Sequence, residues 1–175
     1  MFPLIKPFAK NIFAYDPWVP SFMLKKKNVI SVNLKDLLKN SDIIYILASI
    51  TSSNVGMIDS AKLKLLKSGA VFILMSRAAI VNFKDLYKFL KKKKNFAAID
   101  VFPVEPFPKN DPFRKLDNVI FSPHRAGALD IAFKEMGEIV LQDIHLIMKN
   151  LPPRLCKRAE KETVKYLRSK QVDIN

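Results

Sequence analysis

Residues 96–127 read FAAIDVFPVEPFPKNDPFRKLDNVIFSPHRAG. An apolar run at 96–102 breaks into a proline-rich loop that carries Glu105, and a second at 119–121 breaks into a loop that carries His124. If both runs are strands of one parallel sheet, both loops fall at carboxyl ends of strands, the edge at which open α/β sheets bind ligands. A carboxylate beside an imidazole at that edge is a general acid/base pair, because the carboxylate orients the ring and stabilises its protonated form. The two residues alone fit equally a solvated loop carboxylate and a histidine in a turn, so the rest of the chain has to decide.

Working outward, apolar runs at 12–15, 29–32, 43–47 and 70–74 read as further strands. The run at 43–47 is continuous, as expected of a strand covered on both faces. Amphipathic stretches at 34–39, 60–67, 83–90 and 128–149 read as helices, with Asp59 or Ser60 and Asn82 as N-caps. The last of them carries Ile131, Met136, Ile139, Val140, Ile144 and Ile147 on or near one face, and Pro152 and Pro153 stop it. Strands alternating with helices predict an α/β fold, a doubly wound parallel sheet. The boundary is placed at Pro152, which gives a domain at 1–150 and a charged, weakly patterned tail at 151–175.

Composition narrows the classes. A hydrophobic content of 49% over 175 residues supports a sizeable core and excludes a disordered chain. The 30 Lys+Arg against 16 Asp+Glu leave a formal charge of +14, a balance that can mark a nucleic-acid partner. The lysines instead sit in short tracts, 25–27 and 91–94, with no interleaved aromatics and no metal-finger spacing, which reads as a solvated basic surface and no nucleic acid. Cys156 is the only cysteine, so an intrachain disulfide and a cysteine zinc site are excluded, in keeping with a reducing cytoplasm. No apolar run is long enough to span a bilayer, so no membrane partner is expected.

Four segments carry a resemblance. They are YDPW at 15–18, SDIIYILASITSSNVGMID at 41–59, LKSGAVFILMSRAAIVNFKDL at 66–86, and IDVFPVEP at 99–106 together with SPHRAG at 122–127. In this order and spacing the chain from about residue 11 to 150 resembles the NAD-binding domain of the D-isomer-specific 2-hydroxyacid dehydrogenases. The resemblance implies a Rossmann-like fold, NAD as cofactor, and oxidation of a small D-2-hydroxy acid to its 2-oxo acid. It implies that Arg77 grips the substrate carboxylate and polarises the carbonyl, that His124 moves the hydroxyl proton, and that Glu105 holds His124. It places Asp100 near the nicotinamide amide and Asp16 on the adenosine ribose hydroxyls, where an aspartate favours NAD over NADP. Asp16 fits an Asp-Pro turn as well, and Asp100 an ordinary strand-end aspartate. Ala48 and Ser49, in the loop facing the cofactor, Ser76 beside the arginine and Gly127 after the histidine complete the implied cofactor-binding set. His145, inside the last helix, reads as a packing or surface residue. The family's cofactor domain usually builds a homodimer, although no heptad or interface patch in this sequence shows one independently.

The departures are as informative. A G-x-G-x-x-G turn is expected just ahead of residue 11, yet the four glycines, Gly56, Gly69, Gly127 and Gly137, form no such turn. The strand ahead of that turn, central in this fold, and most of the substrate domain have no counterpart either. Residues 1–9 resemble the end of the helix that follows the glycine turn. The family's usual Asn-x-x-Arg-Gly stands here as Leu74-Met75-Ser76-Arg77-Ala78, and a usual proline as Ser49. The expectation is therefore a cofactor domain incomplete at its N-terminus, 1–150, with 151–175 as a remnant of the substrate domain, weakly active or inactive by itself. Two functions compete: part of a dehydrogenase, or a non-catalytic remnant that binds a partner. A basic nucleic-acid module is a third, which a steep salt dependence of retention would be needed to support.

Overall fold

The apolar runs become strands, all but the last shorter than the run that predicts it. In a computed structural model describing residues 2–156, β1 (Phe13–Ala14) and β2 (Ile30–Ser31) pair as a short parallel sheet. A second parallel sheet holds β3 (Ile43–Ile46), β4 (Val71–Leu74), β5 (Phe96–Ile99) and β6 (Val119–Phe121) in sequence order. Its register sets Ile43 against Val71, Val71 against Phe96, and Ala97 against Val119. Because every neighbour is parallel, the loops after β4, β5 and β6 emerge on one edge. No ladder joins the two sheets among the described residues.

Helices fill the connections. They are α1 (Phe2–Ile5), α2 (Ser21–Lys25), α3 (Leu34–Asn40), α4 (Ser60–Leu63), α5 (Phe83–Leu90) and α6 (Asp130–Met148). Asn33, Asp59 and Asn82 cap α3, α4 and α5, each accepting a backbone N–H three residues on. Leu38, Leu63, Leu86 and Leu90 from these helices pack with Ile44, Phe72, Leu74 and Ile99 of the sheet in one buried core. Each such side chain stabilises the fold by roughly 1.5–3 kcal/mol. Two buried amides lock the opposite edge of the sheet. Asn118 donates to Leu90 O and Asn95 O, while Asn95 donates to Lys67 O and Ala70 O.

Several expectations need correction. The run at 43–47 is not covered on both faces: Ile44 and Ile46 are buried, whereas Ile43 is 52% and Tyr45 37% exposed. β3 packs only its Ile44 and Ile46 face on the core and follows the two-residue period. The helix expected at 60–67 stops at Leu63, because Leu65 and Leu66 donate three residues back and tighten the chain into turns. Helix α2 was not expected; at five residues after Pro20 it is too short to show a period. The apolar stripe of α6 stays exposed among the described residues, and its one buried position is Asp143. The Asp143 carboxylate gathers the backbone N–H groups of Arg154, Leu155 and Cys156 as the chain turns back past Asn150. Of the expected tail, residues 157–175 lie outside the described residues. No helix among those described is long and apolar enough to cross a membrane.

Candidate active site

The proline-rich loop after β5 is built to hold a carboxylate still. Phe102 and Phe107 stack at 4.0 Å between centroids, and Phe121 of β6 closes the group at 5.6 Å from Phe107. Arg114 lies over the Phe107 ring at 4.5 Å and donates to Phe107 O and Pro108 O, both at 2.8 Å. This anchored loop carries Glu105. Its Oε1 accepts the Phe102 N–H at 2.9 Å, and its Oε2 lies 2.8 Å from Nδ1 of His124. A carboxylate only accepts, so Nδ1 carries a proton toward Glu105, and in the neutral ring Nε2 keeps its lone pair. The structure thus brings together the two residues that the sequence placed at strand ends, Glu105 in its loop and His124 in a turn, with side chains 37% and 46% exposed.

His124 itself has φ of +57°, in the left-handed region, a conformation costing a non-glycine residue about 1–2 kcal/mol. The turn is held from below by Asp100, at the end of β5 and 5% exposed. Its Oδ1 accepts from Arg125 N at 2.8 Å and its Oδ2 from Ala126 N at 3.0 Å. Burial pushes the Asp100 carboxyl up. The Ser122 hydroxyl, the amides of Ala126 and Arg125 and the charge of His124 outweigh that and hold it below its ordinary value.

One strand over, Ser76 and Arg77 follow β4. Arg77 is exposed and donates only to its neighbour Ser76 O, at 2.7 Å, leaving its fork directed to no carboxylate of the described chain. The Ser76 hydroxyl is buried without a hydrogen-bond partner among the described residues, an orphan that a ligand at this edge would satisfy. Past β3, Ala48 and Ser49 are exposed in a loop pinned by Asn54, which donates to Ser49 O and accepts from Thr51 N, both at 2.8 Å. Asp16, beyond β1, accepts the Trp18 N–H at 2.9 Å; the Asp-Pro turn is therefore real, whatever else its carboxylate does. Gly127 faces open space. His145 is exposed and bonds only along its own helix, to Leu141 O.

Ser122 and Asn54 escaped sequence reasoning. Ser122 lies inside the quoted SPHRAG segment and was visible as a hydroxyl two residues before the histidine; nothing local marks Asn54. Toward a nicotinamide dinucleotide, the residues present offer the exposed Asp16 carboxylate and a Ser76 hydroxyl without a partner among the described residues. The four glycines supply no G-x-G-x-x-G turn for its diphosphate. No group of three His, Cys, Asp or Glu side chains among the described residues could hold a metal.

Residues 1–126 match the family described as D-isomer specific 2-hydroxyacid dehydrogenase, NAD binding domain. The chain is 34% identical over 146 residues to a D-3-phosphoglycerate dehydrogenase of Methanocaldococcus jannaschii, covering 82% of this chain and 28% of that protein. It is also 34% identical over 152 residues to a glyoxylate reductase of Korarchaeum cryptofilum, covering 86% of this chain and 46% of that one. Among solved structures, a phosphoglycerate oxidoreductase from Rhizobium etli superposes with a TM-score of 0.81 at 42% identity, over 91% of this chain and 48% of its own. The chain therefore spans less than half the length of each of these relatives. Its parallel, helix-flanked sheet is Rossmann-like, and the chain belongs to the D-isomer specific 2-hydroxyacid dehydrogenases, carrying sequence of their NAD-binding domain.

Proposed function

We propose that this chain supplies the acid/base and substrate-gripping residues of an NAD-dependent oxidoreductase that converts a D-2-hydroxy acid to its 2-oxo acid in the cytoplasm. The observation that carries the reading is the 2.8 Å contact between His124 Nδ1 and Glu105 Oε2, on the edge that also bears Arg77. Nε2 of His124 takes the proton of the substrate hydroxyl, and returns it in the reverse direction. Glu105 keeps Nδ1 protonated and stabilises the imidazolium that results. Arg77 grips the substrate carboxylate with its planar fork, a geometry that an ammonium cannot reproduce. The chemistry that a bound NAD would supply is acceptance of the hydride leaving the hydroxyl carbon. Asp16 would hold its adenosine ribose, Ala48, Ser49 and Ser76 would line the cofactor side, and Asp100 and Gly127 would border the nicotinamide end.

The test is a chimera. The N-terminal part of the Korarchaeum cryptofilum glyoxylate reductase, through its glycine turn, is joined ahead of the matching point in this chain. NADH-dependent reduction is then measured over a panel of short 2-oxo acids, glyoxylate among them. Turnover on at least one is expected. A folded, NADH-binding chimera with no turnover would reject the catalytic reading and favour the competing one, a non-catalytic remnant that binds a partner.

A further inference from the structure

We infer that Asp100, beyond bordering the cofactor, is the positioning residue that aims His124 at Glu105. The inference rests on the reading of His124 as the acid/base. The Asp100 carboxylate holds the chain directly after the histidine: Arg125 N donates to its Oδ1 at 2.8 Å and Ala126 N to its Oδ2 at 3.0 Å, one and two residues on. A residue in the left-handed region turns successive backbone N–H groups toward one side, forming a concavity that takes an anion. His124 has that conformation, and the anion in the concavity is Asp100. Without it two converging amides would lose their acceptor, and the left-handed turn would lose the contacts that offset its strain.

Glu105 is referenced to the same point. Its Oε1 is held by the N–H of Phe102, two residues after Asp100. The end of β5 therefore fixes both halves of the pair, the histidine through the Asp100 carboxylate and the glutamate through the Phe102 amide. A group that only touched cofactor would have no need to spend both oxygens on the backbone of the neighbouring loop. Asp100 is also buried, and with each oxygen accepting from a backbone amide it is held in its charged form.

The test reads the imidazole directly. In 15N-labelled residues 1–175 there are two histidines, His124 and His145, so their ring nitrogens resolve by NMR. The parent is expected to show His124 with its proton fixed on Nδ1. Asp100→Asn keeps the shape but opposes one amide with an NH2 group. It should shift the His124 ring nitrogens to mixed-tautomer values and speed exchange of the Arg125 and Ala126 amides by roughly tenfold. Signals of β3 to β5 should stay in place. If Asp100→Asn fails to fold, Asp100→Glu decides, since it keeps the charge but moves both oxygens off the Arg125 and Ala126 amides and should speed their exchange severalfold. An unchanged Nδ1–H signature in a folded Asp100→Asn, or unchanged exchange in Asp100→Glu, overturns the inference. Neither measurement uses NAD or substrate, so an inactive chimera would remove the dehydrogenase reading without touching this result.

Discussion

Glu105→Gln is the substitution whose outcome the geometry constrains most tightly. The native carboxylate divides its oxygens, one to Phe102 N at 2.9 Å and one to the His124 ring at 2.8 Å. A glutamine has a single acceptor oxygen. If that oxygen stays with Phe102, the NH2 group faces Nδ1, which must then accept. The ring proton moves to Nε2, and the lone pair that should take the substrate proton is gone. If the oxygen turns to Nδ1 instead, the NH2 group opposes the Phe102 N–H. The side chains of His124 and Glu105 are 46% and 37% exposed, so solvent screens the pair and its direct share in stability is under about 1 kcal/mol. The loss therefore falls on turnover. General acid/base help is worth about a hundred to ten thousand-fold, or about 2.7–5.5 kcal/mol of barrier. In the chimera, kcat followed by NADH absorbance should fall by that range while the melting temperature stays within a few degrees. A Glu105→Gln enzyme within about twofold of its parent in kcat would refute the tautomer argument.

Other residues give narrower tests. Arg77→Lys should lower kcat/KM by roughly 10–100-fold, the worth of a charge-assisted bidentate contact; unchanged kinetics would reject its substrate role. Asp16→Ala should narrow the preference for NAD over NADP in the chimera, and an unaltered ratio would leave Asp16 as the turn residue its bond to Trp18 N makes it. Asp143 is held down to about 2 from 3.8 by the backbone N–H of Cys156, then that of Arg154, against burial, with Leu155 adding to the effect. A depressed carboxyl stabilises the fold above its unfolded value and stops doing so as pH falls through the folded one. Exchange protection of the Arg154, Leu155 and Cys156 amides should thus be full above about 4 and vanish toward about 2; protection that stays flat across that window would show that Asp143 does not hold this turn.

The sequence carried the site better than it carried the packing. Glu105 and His124 could be paired because each closes an apolar run, and adjacent parallel strands must deliver such ends to one edge. Asn82 and Asp59 could be read as caps because a cap is a local bond, three residues long. What failed was set by contacts distant in sequence. The five apolar residues at 43–47 do not say that β3 is an edge with one bare face. The period of α6 shows a stripe but not what covers it, and nothing in the run of residues marks Asp143 as the hub for a chain segment eleven to thirteen residues later. Asp100 was visible as a strand-end aspartate. Its hold on the backbone around His124 needed the register of β5 against β6.

The central claim is that His124 moves the substrate proton, and His124→Ala in the chimera tests it most directly. Turnover with the best 2-oxo acid and the dissociation constant for NADH are measured side by side, the second by fluorescence titration. The account predicts a loss of turnover of about a hundred to ten thousand-fold with NADH affinity nearly intact. Turnover close to the parent's with NADH still bound would contradict it.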